Sequence, residues 1–507
     1  MKRMPLLFTV VIATLCSSLC EGIIGSHFWK IRQLVDERRA NALMQSLPGK
    51  PGSISELFIT QPLDHFDRLS QEAGKTFQQR LFVNDQFYEA QKGPVFLYIQ
   101  GEGALSPNAA KAGFPAELAK SLGALIVAAE HRFYGASIND DGLKLDSLRH
   151  LSSQQALADL AEVHTFISQK FNLSRDHPWV CFGGSYSGAL SAWFRIKYPH
   201  LVIGALASSA PVRALENFEG YNDVVAASLE SSIVGGNEEC MTQIQQAFIQ
   251  IDALLKLGNH TLLEGYFKSC EPVTDPLDRL TFVSNLASIV QGVVQYNNEI
   301  PGLDIDGICG IMAVSSDPLR NLAALNTEFM KIMNMSCVNN TYAESVRMVA
   351  NTTVDRKAQG PGIRQWIWQT CTQFGYYQTC DDNTNCPFSR LIDLPSQTKL
   401  CSDFFNITPQ DIAKFVSFTN DYYGGDRPHG NKIIFSNGSI DPWHKLGVLT
   451  DLSDTEKAVF IVGTAHCNDL GSSNSKDPQQ LTAARKKIAT IITGWLKEAQ
   501  QNQINSL

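Results

Sequence analysis

An α/β fold built on a mostly parallel sheet is predicted by three observations. Short, continuous apolar runs alternate with helical patterns of roughly 10–15 residues. A serine in a glycine-rich turn, Gly183-Gly184-Ser185-Tyr186-Ser187-Gly188, stands between one such run and one such helix. Asp441 and His466 each follow a late apolar run.

In chain order, Lys2 and Arg3 precede a short apolar stretch from Leu6 to Leu15, and Ser17 and Ser18 follow, which reads as a secretory signal peptide over 1–22. Residues 23–54 form a charged, helical arm or a pro-segment, closed by Pro48-Gly49-Lys50-Pro51-Gly52. Leu57–Ile59 and Gln79–Val83 alternate as antiparallel strands do. Val95–Ile99 and Ala124–Ala129 are uninterrupted apolar runs, as strands buried on both faces require, with a helix near Ala116–Ser121 between them. A helix over 153–170, a strand at Trp179–Phe182, a helix from Ala189 and a strand at Leu201–Ala207 complete a first part of the sheet domain, 55–211.

Between 212 and 415 the pattern becomes long and helical, with Cys240–Leu257 and Leu280–Val294 the clearest helices, and it reads as an inserted cap. Strand character returns at Lys432–Phe435 and Lys457–Val462 and a helix covers Leu481–Leu496, so 416–507 forms the second part of the sheet domain.

Composition narrows the class. The chain has 507 residues, 44% hydrophobic and 18% charged, with a net charge of −8. This balance argues against nucleic acid or an anionic membrane as principal partner. After the presumed signal no apolar run is long enough to act as a membrane anchor. Eight cysteines crowd into the insertion, at 240, 270, 309, 337, 371, 380, 386 and 401, which in a secreted chain reads as disulfide stapling. They lack a paired Cys-x-x-Cys spacing, so no metal and no cofactor is expected. The redox state of Cys181 and Cys467 stays open. Sequons at Asn172, Asn259, Asn334, Asn339, Asn351 and Asn406 are expected to carry glycans, whereas Asn437 lies inside a candidate catalytic loop. The implied compartment is the secretory or endolysosomal route.

Strand, sharp turn and helix around Ser185 describe the nucleophile elbow of an α/β hydrolase, where glycines allow the strained backbone and the close helix approach. Ser187 stands where a second glycine is usual, a tolerable exchange. A serine hydroxyl needs a base, and the base needs an orienting carboxylate. In this fold they follow in the order Ser, Asp or Glu, His. Asp441 and His466 meet that order, each on a loop beyond a strand. His131 precedes the serine and is expected to be structural, and His444, three residues behind Asp441, is a less favoured base than His466. The oxyanion hole is expected from the Tyr186 N–H and from the Gly101-Glu102-Gly103 turn after the Val95–Ile99 strand.

These motifs, with Glu130-His131-Arg132-Phe133-Tyr134-Gly135, Ser208-Ser209-Ala210-Pro211, Gln369-Thr370-Cys371-Thr372 and Asn437-Gly438-Ser439-Ile440-Asp441-Pro442-Trp443-His444, resemble the serine carboxypeptidase-like family that includes lysosomal Pro-X carboxypeptidase and dipeptidyl peptidase II. The resemblance runs from about residue 57 to the C-terminus. It implies an α/β-hydrolase fold with a helical cap, a Ser185, Asp441 and His466 triad, and exopeptidase action on peptides. Proline before the scissile bond is the preference of its well-known members. It also implies Trp443 as a wall of the pocket for that residue and Glu102 beside a peptide end. Gln373 takes the place of a glutamate usual in relatives, which would remove a charge able to pair with a free α-amine. Peptide trimming in endosomes or lysosomes, with antigen-peptide processing as one such role, is the implied setting. The residues leave open dipeptidyl-peptidase or carboxypeptidase action, and a homodimer. A lipase or esterase and a non-catalytic peptide binder on the same fold are the alternatives.

Overall fold

The computed structural model describes residues 26–46, 54–358 and 360–504, so the signal segment falls outside the described residues. The fold is an α/β hydrolase carrying a helical, disulfide-linked cap. Its strands in chain order are β1 (Ile54–Pro62), β2 (Thr76–Asn84), β3 (Val95–Ile99), β4 (Leu125–Ala129), β5 (Trp179–Gly184), β6 (Gly204–Ser208), β7 (Leu215–Asn217), β8 (Gly375–Tyr377), β9 (Ile433–Gly438) and β10 (Glu456–Ile461). Among the described residues the main sheet runs β1-β2-β4-β3-β5-β6-β9-β10. β2 is antiparallel to both β1 and β4, and every later pairing is parallel.

The alternation within each apolar run explains why the central strands read as continuous. Val95, Leu97 and Ile99 of β3 join Trp179 and Cys181 of β5 in one core, with Leu157, Leu160 and Val163 of the Ser153–Lys170 helix and Leu190 and Trp193 of the Tyr186–Lys197 helix. Phe96, Val180 and Phe182 point to the other face, under Phe114 and Leu118 of the Phe114–Leu122 helix and Ile488 and Ile492 of the Gln479–Ile504 helix. A strand covered on both faces can spare no polar position. The strand expected from Leu201 starts only at Gly204, because Leu201 N–H is used in a turn onto Tyr198 O.

The stretch after β6 supplies the cap. Its Pro276–Gln295 helix is buried from Leu280 to Gln295, as a helix apolar around most of its circumference should be. It starts before the expected Leu280 because Asp275 caps the Leu277 N–H and Pro276 sits in the first turn. Among the described residues four disulfides join Cys240–Cys309, Cys270–Cys337, Cys371–Cys401 and Cys380–Cys386. The first two close loops of 69 and 67 residues, each constraining the unfolded chain by about 4 kcal/mol in the chain-entropy account. Among the described residues Cys181 and Cys467 have no disulfide partner, and both are buried.

Asn172, Asn259, Asn334, Asn351 and Asn406 are exposed and Asn339 is half-buried, while Asn437 is buried with its amide donated to Val448 O. No helix among the described residues is long and apolar enough to cross a membrane.

Candidate active site

Ser185 sits at the C-terminal end of β5 with φ 60° and ψ −131°, a strained conformation for a residue with a Cβ. The local sequence makes that turn possible. A Cβ on Gly183 would fall 2.0 Å from Ser187 O, and one on Gly188 2.6 Å from Ser208 O, so strand and helix meet only because both are glycines. Ser187 does more than fit. Its Oγ donates to Gly184 O at 2.7 Å and accepts from Gly184 N–H at 3.1 Å, which clamps the turn from inside.

Asp441 and His466 arrive from neighbouring loops. β9 leads to Asp441, whose Oδ1 accepts from Trp443 N–H at 3.1 Å and lies 2.9 Å from His466 Nδ1. Asp441 is fully buried, and its Oδ2 has no hydrogen-bond partner among the described residues. β10 leads to His466, 3% exposed. Burial opposes charge on this imidazole, but the Asp441 carboxylate and the Cys467 sulfur outweigh it and hold its pKa above the ordinary value. With Nδ1 committed to Asp441, Nε2 remains as the nitrogen able to take a proton. The His466 loop is pinned on both sides: His466 N–H donates to Gln295 O at 3.0 Å, and Cys467 N–H donates to Ser209 Oγ at 2.9 Å. Behind it, Asp469 accepts from Ser208 Oγ and Ser436 Oγ, each at 2.5 Å, and so ties the ends of β6 and β9 together.

Ser185, Tyr186, Gly101, Glu102, Gly103, Trp443 and His466 line one cavity of about 810 Å³. Tyr186 opens its helix, so its N–H has no intrahelical acceptor. Of the two turn glycines, Gly103 donates its N–H to Gly101 O at 2.9 Å, which spends it and leaves Gly101. This turn is bound to the cap, with Ala104 N–H on Gly360 O and Gly362 N–H on Glu102 O. Gly101 packs on Ser187, which puts the Glu102 turn beside the elbow.

The structure places Gln373 elsewhere. It is buried away from the cavity, where its Oε1 accepts from Ser153 N–H and Ser153 Oγ, each at 2.8 Å. It sits in a π-helical turn, Thr370–Phe374, that directs residue 373 inward onto the Ser153 helix. A substrate contact at this position is therefore corrected. His131 and His444 are also outside the Asp441 pair: His131 Nε2 meets Tyr186 OH at 3.0 Å, and His444 Nδ1 meets Gly438 O at 3.2 Å.

Several lining residues escaped sequence reasoning. Tyr376 and Trp366 are two of them, and they wall the cavity together with the expected Trp443, Tyr376 and Trp443 ring to ring at 5.4 Å and 83°. The aromatic density of 366–377 was their visible signal. Gln295 left none, yet its Oε1 accepts from both Trp443 Nε1 and Tyr221 OH at 2.8 Å. Nor did the arm: Trp29, Arg32, Asp36 and Arg39 of the Ser26–Ser46 helix line the same cavity.

Residues 61–488 match the family described as serine carboxypeptidase S28. The chain is 39% identical to the mouse (Mus musculus) thymus-specific serine protease over 463 residues, 89% of this chain and 90% of that protein. It is 38% identical to the human (Homo sapiens) protein of the same name over 510 residues, 99% of this chain and 97% of that one. With human lysosomal Pro-X carboxypeptidase it shares 30% identity over 476 residues, 89% and 90% of the two chains.

Proposed function

From the premise that this chain belongs to the serine carboxypeptidase S28 family of serine peptidases, we propose that it is an exopeptidase working through Ser185, Asp441 and His466. The observation that carries this reading is the strained Ser185 elbow sharing one cavity with a His466 ring oriented by Asp441. Ser185 Oγ attacks the scissile carbonyl carbon as His466 Nε2 takes its proton, and Asp441 stabilises the imidazolium. Tyr186 N–H and Gly101 N–H receive the oxyanion. Collapse of the tetrahedral species returns the proton to the leaving amine, and water then releases the acyl group by the same route.

Trp443, Trp366 and Tyr376 offer flat apolar faces suited to a proline ring before the scissile bond. Glu102, 5% exposed, offers a charge for a peptide end. The cap and the Ser26–Ser46 helix border the cavity, which favours chain ends over internal bonds. The lysosomal relative supports action in lysosomes or endosomes, and antigen-peptide trimming is one setting for such action.

Digestion of a mixed peptide library, read by mass spectrometry beside Ser185→Ala, tests the reading. End-shortened products that vanish in the variant support it. Internal cleavage, or identical products from both proteins, overturns it.

A further inference from the structure

The Ser26–Ser46 helix has two working faces. His27, Ile31 and Val35, spaced four apart, are fully buried against the cap. Ile31 presses so closely on the Pro276–Gln295 helix that a Cβ on Gly292 would come within 2.5 Å of its Cδ1. The adjoining face puts Trp29, Arg32, Asp36 and Arg39 on the cavity. Arg32 Nη1 lies 2.7 Å from Glu102 Oε1, with its guanidinium 5.6 Å over the Trp29 ring and Asp36 3.7 Å from its Nε. Two turns on from Arg32, Arg39 pairs with Glu299 and donates to His466 O at 3.0 Å. The helix is thus fastened to the Glu102 turn beside the elbow at one point and to the His466 loop at another.

Glu102 belongs to the body of the fold, held by a turn that is hydrogen-bonded to the cap. Its carboxylate is buried at the wall of the cavity, and a buried carboxylate needs a cation. Arg32 supplies one from a separate segment of the chain. A peptide's α-ammonium group carries the same charge and the same N–H donors, whereas a terminal carboxylate would be repelled.

We propose that Glu102 is the anchor for the α-ammonium end of a peptide substrate and that Arg32 occupies this anchor from the N-terminal helix, so that the chain with the helix seated is self-blocked. This rests on the peptidase reading of the same cavity and gives it a direction: cleavage proceeds from the N-terminal end.

The test compares the full chain with Arg32→Ala, Arg32→Gln and Arg32→Gln/Glu102→Gln. Substrates are a peptide with a free N-terminus and its N-acetyl counterpart, and active sites are counted by fluorophosphonate labelling of Ser185. Either Arg32 variant should raise kcat/KM on the free-amine peptide by at least about tenfold and barely alter the acetylated one. The double variant should lose that gain, chiefly through KM. An equal change on both peptides, no change, or shortening from the C-terminal end overturns the proposal while labelling of Ser185 preserves the peptidase reading. Absence of labelling in every folded protein overturns both.

Discussion

The N–H of His466 donates to the main-chain carbonyl of Gln295, 3.0 Å away, so the candidate base hangs from the last turn of a cap helix. The same residue uses its side chain on the pocket wall, accepting from Trp443 Nε1 and Tyr221 OH. Base and wall therefore share one support.

Gln295→Met keeps the main-chain bond and a similar volume but leaves two buried donors unpaired. Stability should fall by about 1–3 kcal/mol, measured by urea unfolding. KM should rise more than kcat falls, because the wall loosens while the histidine stays held. An equal loss in both would show that the side chain also sets His466.

Asp441 raises the pKa of His466, so the neutral base becomes available only as pH rises. The acid limb of kcat/KM reports this ionisation. Asp441→Asn removes the stabilising charge and should move that limb to lower pH, while kcat drops by about 10³–10⁴ through the wrong tautomer. A pH–rate profile of both proteins checks the direction of the shift.

Ser187→Ala removes both bonds of the clamp on Gly184 and leaves two main-chain groups without partners. The unfolding free energy should fall by about 1–3 kcal/mol. Labelling of Ser185 by a fluorophosphonate should slow as the strained turn relaxes, and a labelling rate equal to wild type would show that Gly183 and Gly188 hold the elbow unaided.

Seating of the N-terminal helix should weaken in acid. His27 is fully buried between Asn285 O, 3.0 Å from its Nδ1, and the Phe329 ring at 4.5 Å. Burial lowers its pKa to about 4, against 6.5 when free, the bond to Asn285 only partly opposing this. Above pH 6.5 both states are neutral and seating is at full strength. Between 6.5 and 4 the released helix binds a proton that the seated helix does not, removing up to about 3 kcal/mol. Asp36 acts in the opposite sense, its pKa raised first by burial, but its side chain is 45% exposed and solvent moderates the effect. Protection factors over 27–39, observed exchange divided out by the intrinsic rate at each pH, should fall from pH 7 to pH 4.5, and His27→Leu should abolish the fall.

What the sequence determined by itself was local in origin. The elbow needs small residues within a few positions of Ser185, and buried strands need unbroken apolar runs, so both were readable along the chain. The order and loop positions of Asp441 and His466 followed from the same strand pattern, and the helical arm was visible within a few residues of its bounds. The tertiary structure alone decided which distant side chains meet. Arg32 and Glu102 stand 70 positions apart in the sequence, Gln295 lies far from both Trp443 and His466, and neither link leaves a periodic trace. Gln373 shows the converse: a motif position suggested a substrate contact, and a π-helical turn sent its side chain inward to Ser153. Backbone strain and burial constrain neighbours in sequence, whereas ion pairs and hydrogen bonds across the cavity depend on how the helix, cap and sheet are brought together.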